Sequence, residues 1–335
     1  MVAFINITCD DPTDKMMYDA EVIQECFFAM NEGASDPIVY DTAQKYTKSL
    51  LTSVLQFVYD ALNKAVAVFL KSFHAFIVND VRIAGKYKDI IISKMKSRSI
   101  PIHYETYSYE GLYEYPKDVR QSVFDTNEIV KIMKNVKAQE QPGSITLAEY
   151  VDKKIVEFGK AVIGDKIDPD DLEYSVRNKT HMAVCGGKTT KTLSAGNLNE
   201  FYKDMENTVK EYKKARQLKA QITNYYKMLK HEIDEIYATK PSKRNPGNPN
   251  FRDASVTIHE EPITDTKIAL QKNRLLNSYI QIYKVAFTEK IDCCREKIQN
   301  DSQVIAELLK LSATFGGSQV ADPVKYSAMD RTGLK

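Results

Sequence analysis

The chain has 335 residues, of which 43% are apolar and 27% are charged, and its 47 basic and 45 acidic residues leave a net charge of +2. This composition is typical of a folded, soluble protein, and the balance of charges excludes a global field that would attract nucleic acid or anionic lipid. The five cysteines form no CxxC pair, which indicates buried thiols in a reducing compartment.

The first segment, residues 1–100, is predicted to be a helical domain that contains one long apolar helix. Its start, MVAFINITCDD, has no basic region and soon becomes acidic, so it is a poor signal peptide and indicates synthesis in the cytoplasm. Pro37 suits the first turn of a helix that runs to about residue 79 and continues to about 97, with a weak point at Gly85.

The most apolar stretch, residues 54–81, lies within that helix. A membrane-spanning helix needs about 20 nearly uncharged residues, and this stretch is interrupted by Asp60, Lys64 and Lys71. The sequence therefore predicts a helix that is buried in the protein or against a partner, and it predicts no membrane span.

The second segment, residues 101–195, is predicted to combine a Tyr-rich arm, residues 101–116, with helices near 118–137 and 145–162. Tyrosines alternate on both sides of Gly111, which is typical of a short hairpin or an extended strand. Tyrosine supplies large contact areas at protein interfaces, and the neighbouring glutamates would repel phosphate. A strand packed on the protein's own core is the open alternative. The interface is predicted to contain Tyr104, Tyr107, Tyr109, Tyr113 and Tyr115.

The third segment, residues 196–315, is predicted to be a long antiparallel helical hairpin. With Leu198 as the first a position, ten of the twelve a and d positions over six heptads are apolar or aromatic, as in a coiled coil. Residues 241–251 include three prolines and break the helix, and a second amphipathic pattern runs from about 263 to 314. Two such helices joined by a loop fold back on each other. The predicted seam contains Phe201, Met205, Ile222, Leu229, Ile233, Ile236, Ile280, Phe287 and Ile298.

The stretch MAVCGGKTT, residues 182–190, raises the question of a phosphate-binding loop. Gly187, Lys188 and Thr189 fit the end of the GxxxxGK[ST] pattern, but Met182 stands where the first glycine is needed for the tight turn. We therefore interpret it as a structural turn before the helix that starts near 196, and no nucleotide cofactor is predicted.

Two possible metal-binding stretches are incomplete. HEIDE, residues 231–235, has Glu235 where a zinc-binding helix needs a second histidine. The acidic run at 165–173 lacks the central glycine of a calcium loop, and its Asp168 and Pro169 fit the start of a helix instead. The sequence therefore predicts no metal site.

Nucleophile signatures are also missing. His181 and Cys185 are four residues apart, so a site there is conceivable, but they match no known protease or hydrolase pattern and we favour a loop thiol. The sequence predicts no catalytic residue and no cofactor, and the chain is not expected to be an enzyme.

A basic segment, KYKDIIISKMKSR at residues 86–98, alternates cations with apolar residues. Such a segment could contact the phosphates of nucleic acid or an anionic surface, but cations also suit the C-terminal end of a helix. The second interpretation is preferred, so nucleic acid is the less favoured partner.

The fold class is expected to be mainly all-α: the long helical hairpin, an N-terminal helical bundle and a short β-like arm. The Lys/Tyr/Ile-rich composition, the absence of Trp, the start MVAFINITCDD and the 196–315 hairpin resemble helical virion proteins of large tailed bacteriophages. The resemblance implies many copies in a head, neck, tail or baseplate, with the arm and the polar tail at 316–335 bridging subunits.

We therefore expect a non-enzymatic structural protein whose partners are further copies of itself or other virion proteins. The alternative is a helical pore-forming or membrane-remodelling protein, in which the apolar helix at 54–81 would emerge on membranes.

Overall fold

A computed structural model describes residues 37–96, 102–106, 146–185, 189–194, 196–237 and 260–313. This part of the chain is mainly helical, as the sequence predicts. Its elements in chain order are α1 (Pro37–Phe73), a π-helical turn (His74–Val78), α2 (Asn79–Lys86), α3 (Lys88–Lys96), β1 (Ile102–Thr106), α4 (Leu147–Ile163), α5 (Leu172–Cys185), β2 (Thr189–Leu193), α6 (Leu198–Ile236) and α7 (Glu260–Ala313).

The first long helix follows its predicted course. It includes Pro37 as its first residue, and the first non-helical residue after it is Tyr87, two positions beyond the expected weak point at Gly85. The π-helical turn holds one more residue per turn than an α-helix, so it rotates the residues that follow around the axis. Phe73 before this turn and Val81 after it are both buried.

Local hydrogen bonds set the ends of α4. The Thr146 side chain accepts the Glu149 N–H at 3.2 Å, and the Glu149 carboxylate accepts the Thr146 N–H at 2.8 Å, which forms a capping box. Gly164, with φ of 89°, ends the helix in the left-handed region and donates its N–H to Lys160 O at 2.8 Å.

The start of α5 differs from the prediction. Pro169 does not open the helix, which begins at Leu172. Asp168 caps the preceding turn instead, because its carboxylate accepts the N–H of Asp170 at 3.0 Å, two residues on.

Helix α6 packs along α1 as well as along α7. The Tyr59 and Tyr226 rings stack at 4.1 Å, and Lys48 forms an ion pair with Asp234 at 2.9 Å, so later residues of α6 meet earlier residues of α1. The two helices are therefore antiparallel. Helix α6 therefore packs on α1 in addition to α7, a partner that the predicted hairpin seam did not include.

The contact between α6 and α7 is antiparallel, as expected for a hairpin. The Tyr283 hydroxyl of α7 donates to Ile222 O of α6 at 3.0 Å, and the Tyr237 hydroxyl donates to the Asn273 side chain. The nine predicted seam residues belong to these helices, and the side chain of Ile298 lies outside the described part. The other eight are buried: Phe201, Met205, Ile222, Leu229, Ile233, Ile236, Ile280 and Phe287.

Aromatic rings from three helices meet in the core. The Phe158 ring of α4 lies 4.4 Å from Tyr279 of α7 and 6.1 Å from Tyr225 of α6, and Phe287 lies 5.4 Å from both Tyr225 and Tyr283. Such offset and edge-to-face pairs favour one relative placement of the helices. One buried cluster includes residues of the segments 1–100, 101–195 and 196–315, so the proposed division of the chain stays a prediction.

The Tyr-rich arm is described only at its start. Residues 102–106 form β1, which pairs antiparallel with β2 in the register Ile102↔Leu193 to Thr106↔Thr189. Tyr104 pairs with Lys191 in this ribbon. A strand at this place agrees with the extended conformation that was predicted, but its partner is β2 and not another part of the arm. Tyr107, Tyr109, Tyr113 and Tyr115 lie outside the described residues, as does the tail at 316–335.

Candidate functional site

One group of His, Cys, Asp or Glu side chains in the described part of the chain brings three donor atoms within 4.8 Å of one another: His181, Glu289 and Cys293. His181 lies in the last turn and a half of α5, and the other two lie on α7. Glu289 and Cys293 are four residues apart, so they project from the same face of the helix, one turn after the other.

Each of the three side chains contacts the other two through a single atom. His181 Nδ1 lies 2.9 Å from Glu289 Oε1 and 3.6 Å from Cys293 Sγ, and the sulfur lies 3.7 Å from the same carboxylate oxygen. The His181 side chain is 47% exposed and Glu289 is 16% exposed, whereas Cys293 is buried. The cluster is therefore a shallow site with a buried sulfur at its base and an imidazole at its rim.

This arrangement does not match a nucleophilic triad. In such a triad the base contacts the nucleophile through one ring nitrogen and the orienting carboxylate through the other. Here the Cys293 sulfur and the Glu289 carboxylate both approach Nδ1 of His181. The three donor atoms lie within 4.8 Å of one another, which is close enough for one ion to reach all of them.

The sequence paired His181 with Cys185, whereas the structure places it against α7. The two partners on α7 follow it by more than 100 residues, so spacing along the chain gives no sign of them. The available signal was the Glu289-to-Cys293 spacing on one helical face.

The phosphate-loop interpretation finds no support in the element order. A phosphate loop connects a strand to a following helix. Here α5 ends at Cys185, and β2 begins at Thr189. The order is the reverse of the one needed, and residues 186–188 lie outside the described part. Strand β2 lies between this stretch and α6, where the sequence predicted a turn leading to the helix.

The other sequence candidates occupy ordinary structural positions. His231 and Glu235 are exposed on α6, as expected of a solvated helix face. Asp165 of the acidic run forms an ion pair with Lys179 at 3.0 Å, and the hydrogen bond from that lysine lowers the pKa of the carboxyl. In the basic segment, Lys88 Nζ lies 5.4 Å from the centroid of the Tyr202 ring.

Buried cations are concentrated on α7. Lys290 donates to Val162 O at 3.1 Å, and burial lowers the pKa of its ammonium to about 8. One turn apart, Lys297 and Asp301 are both buried, which lowers the pKa of the lysine and raises that of the aspartate. The hydrogen bond from Lys290 to Val162 O joins α7 to the end of α4.

The outer face of α1 carries exposed apolar side chains. Tyr46, Phe57 and Val68 are 53%, 44% and 43% exposed. They are spaced by eleven residues, which is close to three full helical turns, so they lie along one line on the helix. We call these three residues the α1 stripe.

The same helix contains the one candidate membrane span in the described residues. Gln44–Phe73 is long and apolar enough to cross a bilayer, by length and composition alone, and 33% of its most apolar window is buried inside the protein. A core helix of a soluble protein passes the same test.

No protein-family model, curated protein or solved structure matches this chain. Its function therefore has to be inferred from its own residues and their contacts.

Proposed function

We propose that this chain is a non-enzymatic structural protein that assembles through protein–protein contacts, and that a phage particle is the setting, reached after synthesis in the cytoplasm. The observation that carries the proposal is the α1 stripe. It runs for about 33 Å along the helix, at 1.5 Å per residue. Its three large apolar side chains are exposed on one side of the helix, with exposed Ser53, Asp60 and Lys64 between them, and together they offer apolar contact points to another chain.

The occupant we propose is a second copy of this chain. The side of another helix can contact these three side chains without disturbing the core. The net charge of +2 offers little repulsion between copies. The Tyr-rich arm and the tail at 316–335 are proposed as further contacts with neighbouring subunits.

Burial of the opposite face of α1 favours assembly over membrane insertion. Val54, Leu55 and Leu62 are fully buried there, and the stacked pair of Tyr59 and Tyr226 joins α1 to α6. Moving α1 into a bilayer would separate these contacts and expose the apolar face of α6 to water. Each large side chain uncovered in this way costs about 1.5–3 kcal/mol.

A pore-forming or membrane-remodelling protein is the second candidate. The observation in its favour is the length and apolar composition of Gln44–Phe73. Such a protein would have to release α1 from α6 when it meets lipid.

The test is the native mass of the full chain by light scattering, over a range of concentrations, with and without anionic vesicles. We expect a mass above that of the 38.2 kDa monomer in buffer alone. Replacing Phe57 and Val68 with Ser should lower this mass, whereas Met182→Ser, which changes a 61% exposed residue of α5, should not.

Two results would contradict the proposal. A chain that stays monomeric at every concentration would contradict self-assembly. A variant with Phe57→Ser and Val68→Ser that assembles like the wild type would show that the α1 stripe is not the assembly surface. A monomer that becomes large and makes vesicles leak would favour the pore-forming alternative.

A further inference from the structure

We propose that His181, Glu289 and Cys293 form a binding site for a transition metal ion of the zinc class. The inference goes beyond the proposed function and does not depend on it. It rests on three different donor groups from two helices whose ligand atoms lie within 4.8 Å of one another.

The distances between the donors fit a tetrahedral zinc site. Zinc binds thiolate at about 2.3 Å and imidazole or carboxylate at about 2.0–2.2 Å. Tetrahedral angles then separate the sulfur from either lighter atom by about 3.5 Å, and the nitrogen from the oxygen by about 3.3 Å. The structure has 3.6 and 3.7 Å for the sulfur contacts and 2.9 Å for nitrogen to oxygen.

Little movement is needed to admit the ion. The two sulfur contacts already have the required length, and Nδ1 of His181 must move from Oε1 of Glu289 by only about 0.4 Å. His181 is the most exposed of the three and lies on the shorter helix α5, so its ring can move without disturbing the core. The sulfur of Cys293 is held in place by burial.

The chemistry of the donors selects the class of ion. Thiolate is a soft ligand that calcium and magnesium avoid, since these ions prefer a shell of oxygen atoms. One thiolate, one imidazole and one carboxylate together suit Zn²⁺ and ions of similar softness. Three protein ligands leave a fourth position, and the exposure of His181 lets water reach it. The bound ion would join α5 to α7.

The experiment is a titration of the reduced, metal-free full chain with Co²⁺, which reports on ligation through its absorption spectrum. A thiolate bound to Co²⁺ gives a charge-transfer band in the near ultraviolet, and we expect one equivalent to bind and to be displaced by Zn²⁺. Cys293→Ser should abolish the band. Cys294→Ser is the matched control, because Cys294 is a buried thiol at the next position of the same helix.

A second pair of variants tests the imidazole. His181→Gln should weaken Zn²⁺ binding at least about tenfold. Mutating a residue that only hydrogen-bonds to a metal ligand already lowers metal affinity by about that factor, and His181 is itself a proposed ligand. His231→Gln, at an exposed histidine on α6, should leave binding unchanged. His181 is itself exposed, so this variant is expected to fold even if the serine variant does not, and circular dichroism will show whether each is helical.

The proposal is overturned if the wild type gives no charge-transfer band, or if the band survives in Cys293→Ser. Zinc affinity equal in His181→Gln and His231→Gln would also overturn it. Hydrogen exchange gives an independent check, because Zn²⁺ should slow exchange in the last turns of α5. Neither readout depends on the assembly state, so failure here leaves the proposed function untouched.

Discussion

Gly159 provides a sharp test of how α4 packs against the chain that follows it. A Cβ atom built at Gly159 would lie 2.3 Å from Cδ1 and 2.5 Å from Cγ1 of Ile167, whereas real Cβ contacts essentially never fall below 3.0 Å. Ile167 is buried and β-branched, so it cannot simply rotate away. We expect the overpacking in Gly159→Ala to cost about 1–3 kcal/mol.

The helix preference of alanine acts in the opposite direction and has to be separated from this cost. Alanine stabilises a helix interior by about 0.5–1 kcal/mol relative to glycine. Gly85 of α2 is the matched control, because a Cβ there meets nothing within 4 Å. Gly85 lies in the last turn of α2, so the preference cancels only in part between the two variants. The overpacking cost is the larger of the two effects, and Gly159→Ala should be less stable than Gly85→Ala by up to about 3 kcal/mol.

The assay is urea unfolding followed by circular dichroism, comparing midpoints at equal slope. A Gly159→Ala variant at least as stable as Gly85→Ala would refute the close packing of Ile167 on α4. A double-mutant cycle with Ile167→Ala sharpens the test. That change alone should cost about 2–5 kcal/mol, and the double variant should cost less than the sum because the new methyl group occupies vacated space.

Three further predictions concern buried side chains. Tyr283→Phe removes a hydrogen bond to the α6 backbone and should lower the free energy of unfolding by about 1 kcal/mol more than Tyr174→Phe, at an exposed tyrosine; equal urea midpoints would contradict this. Leu229→Lys places a charge at a buried position and should lower the free energy of unfolding by more than about 4 kcal/mol. Ala220→Lys, on the exposed face of the same helix, should change it little. Unchanged helicity and melting of Leu229→Lys would show that the assignment of α6 is wrong. Burial raises the pKa of Tyr202 from 10.0 to about 12. The stability that the neutral hydroxyl confers is therefore complete below pH 10 and is lost as the pH rises toward 12. The urea midpoint of Tyr202→Phe should fall less over this range than that of the wild type, and an equal fall in both proteins would contradict the prediction.

Features that depend on nearby residues were predictable from the sequence. The break at Tyr87 lies two residues after Gly85, because glycine loosens the helical backbone locally. The periodic apolar positions of α6 and α7 likewise predicted which side chains would be buried.

The buried face of α6 is wider than the a and d positions indicate. Leu218, Tyr225 and Glu232 occupy successive g positions of the same heptads, and all three are buried. A helix that buries a, d and g positions has a wider contact face than a two-stranded coiled coil needs. The a and d positions alone therefore described a narrower contact face than α6 has.

Strand β2 and the candidate metal site were missed for different reasons. The stretch from Thr189 to Leu193 contains three β-branched threonines, which favour a strand, but its pairing with β1 links residues more than 80 positions apart. The convergence of His181 with two residues of α7 depends on packing between helices. Spacing within one segment cannot reveal such a contact.

The packing of α1 on α6 also has a consequence for synthesis of the chain. The apolar face of α1 is complete at Phe73, but α6 ends only at Ile236. A ribosome that adds about 5–20 residues per second needs roughly 8–30 s to make the intervening stretch of about 160 residues. During that interval the face of α1 that includes Tyr59 has not yet met its partner Tyr226 on α6. It is therefore the part of the newborn chain that a chaperone would be expected to bind first.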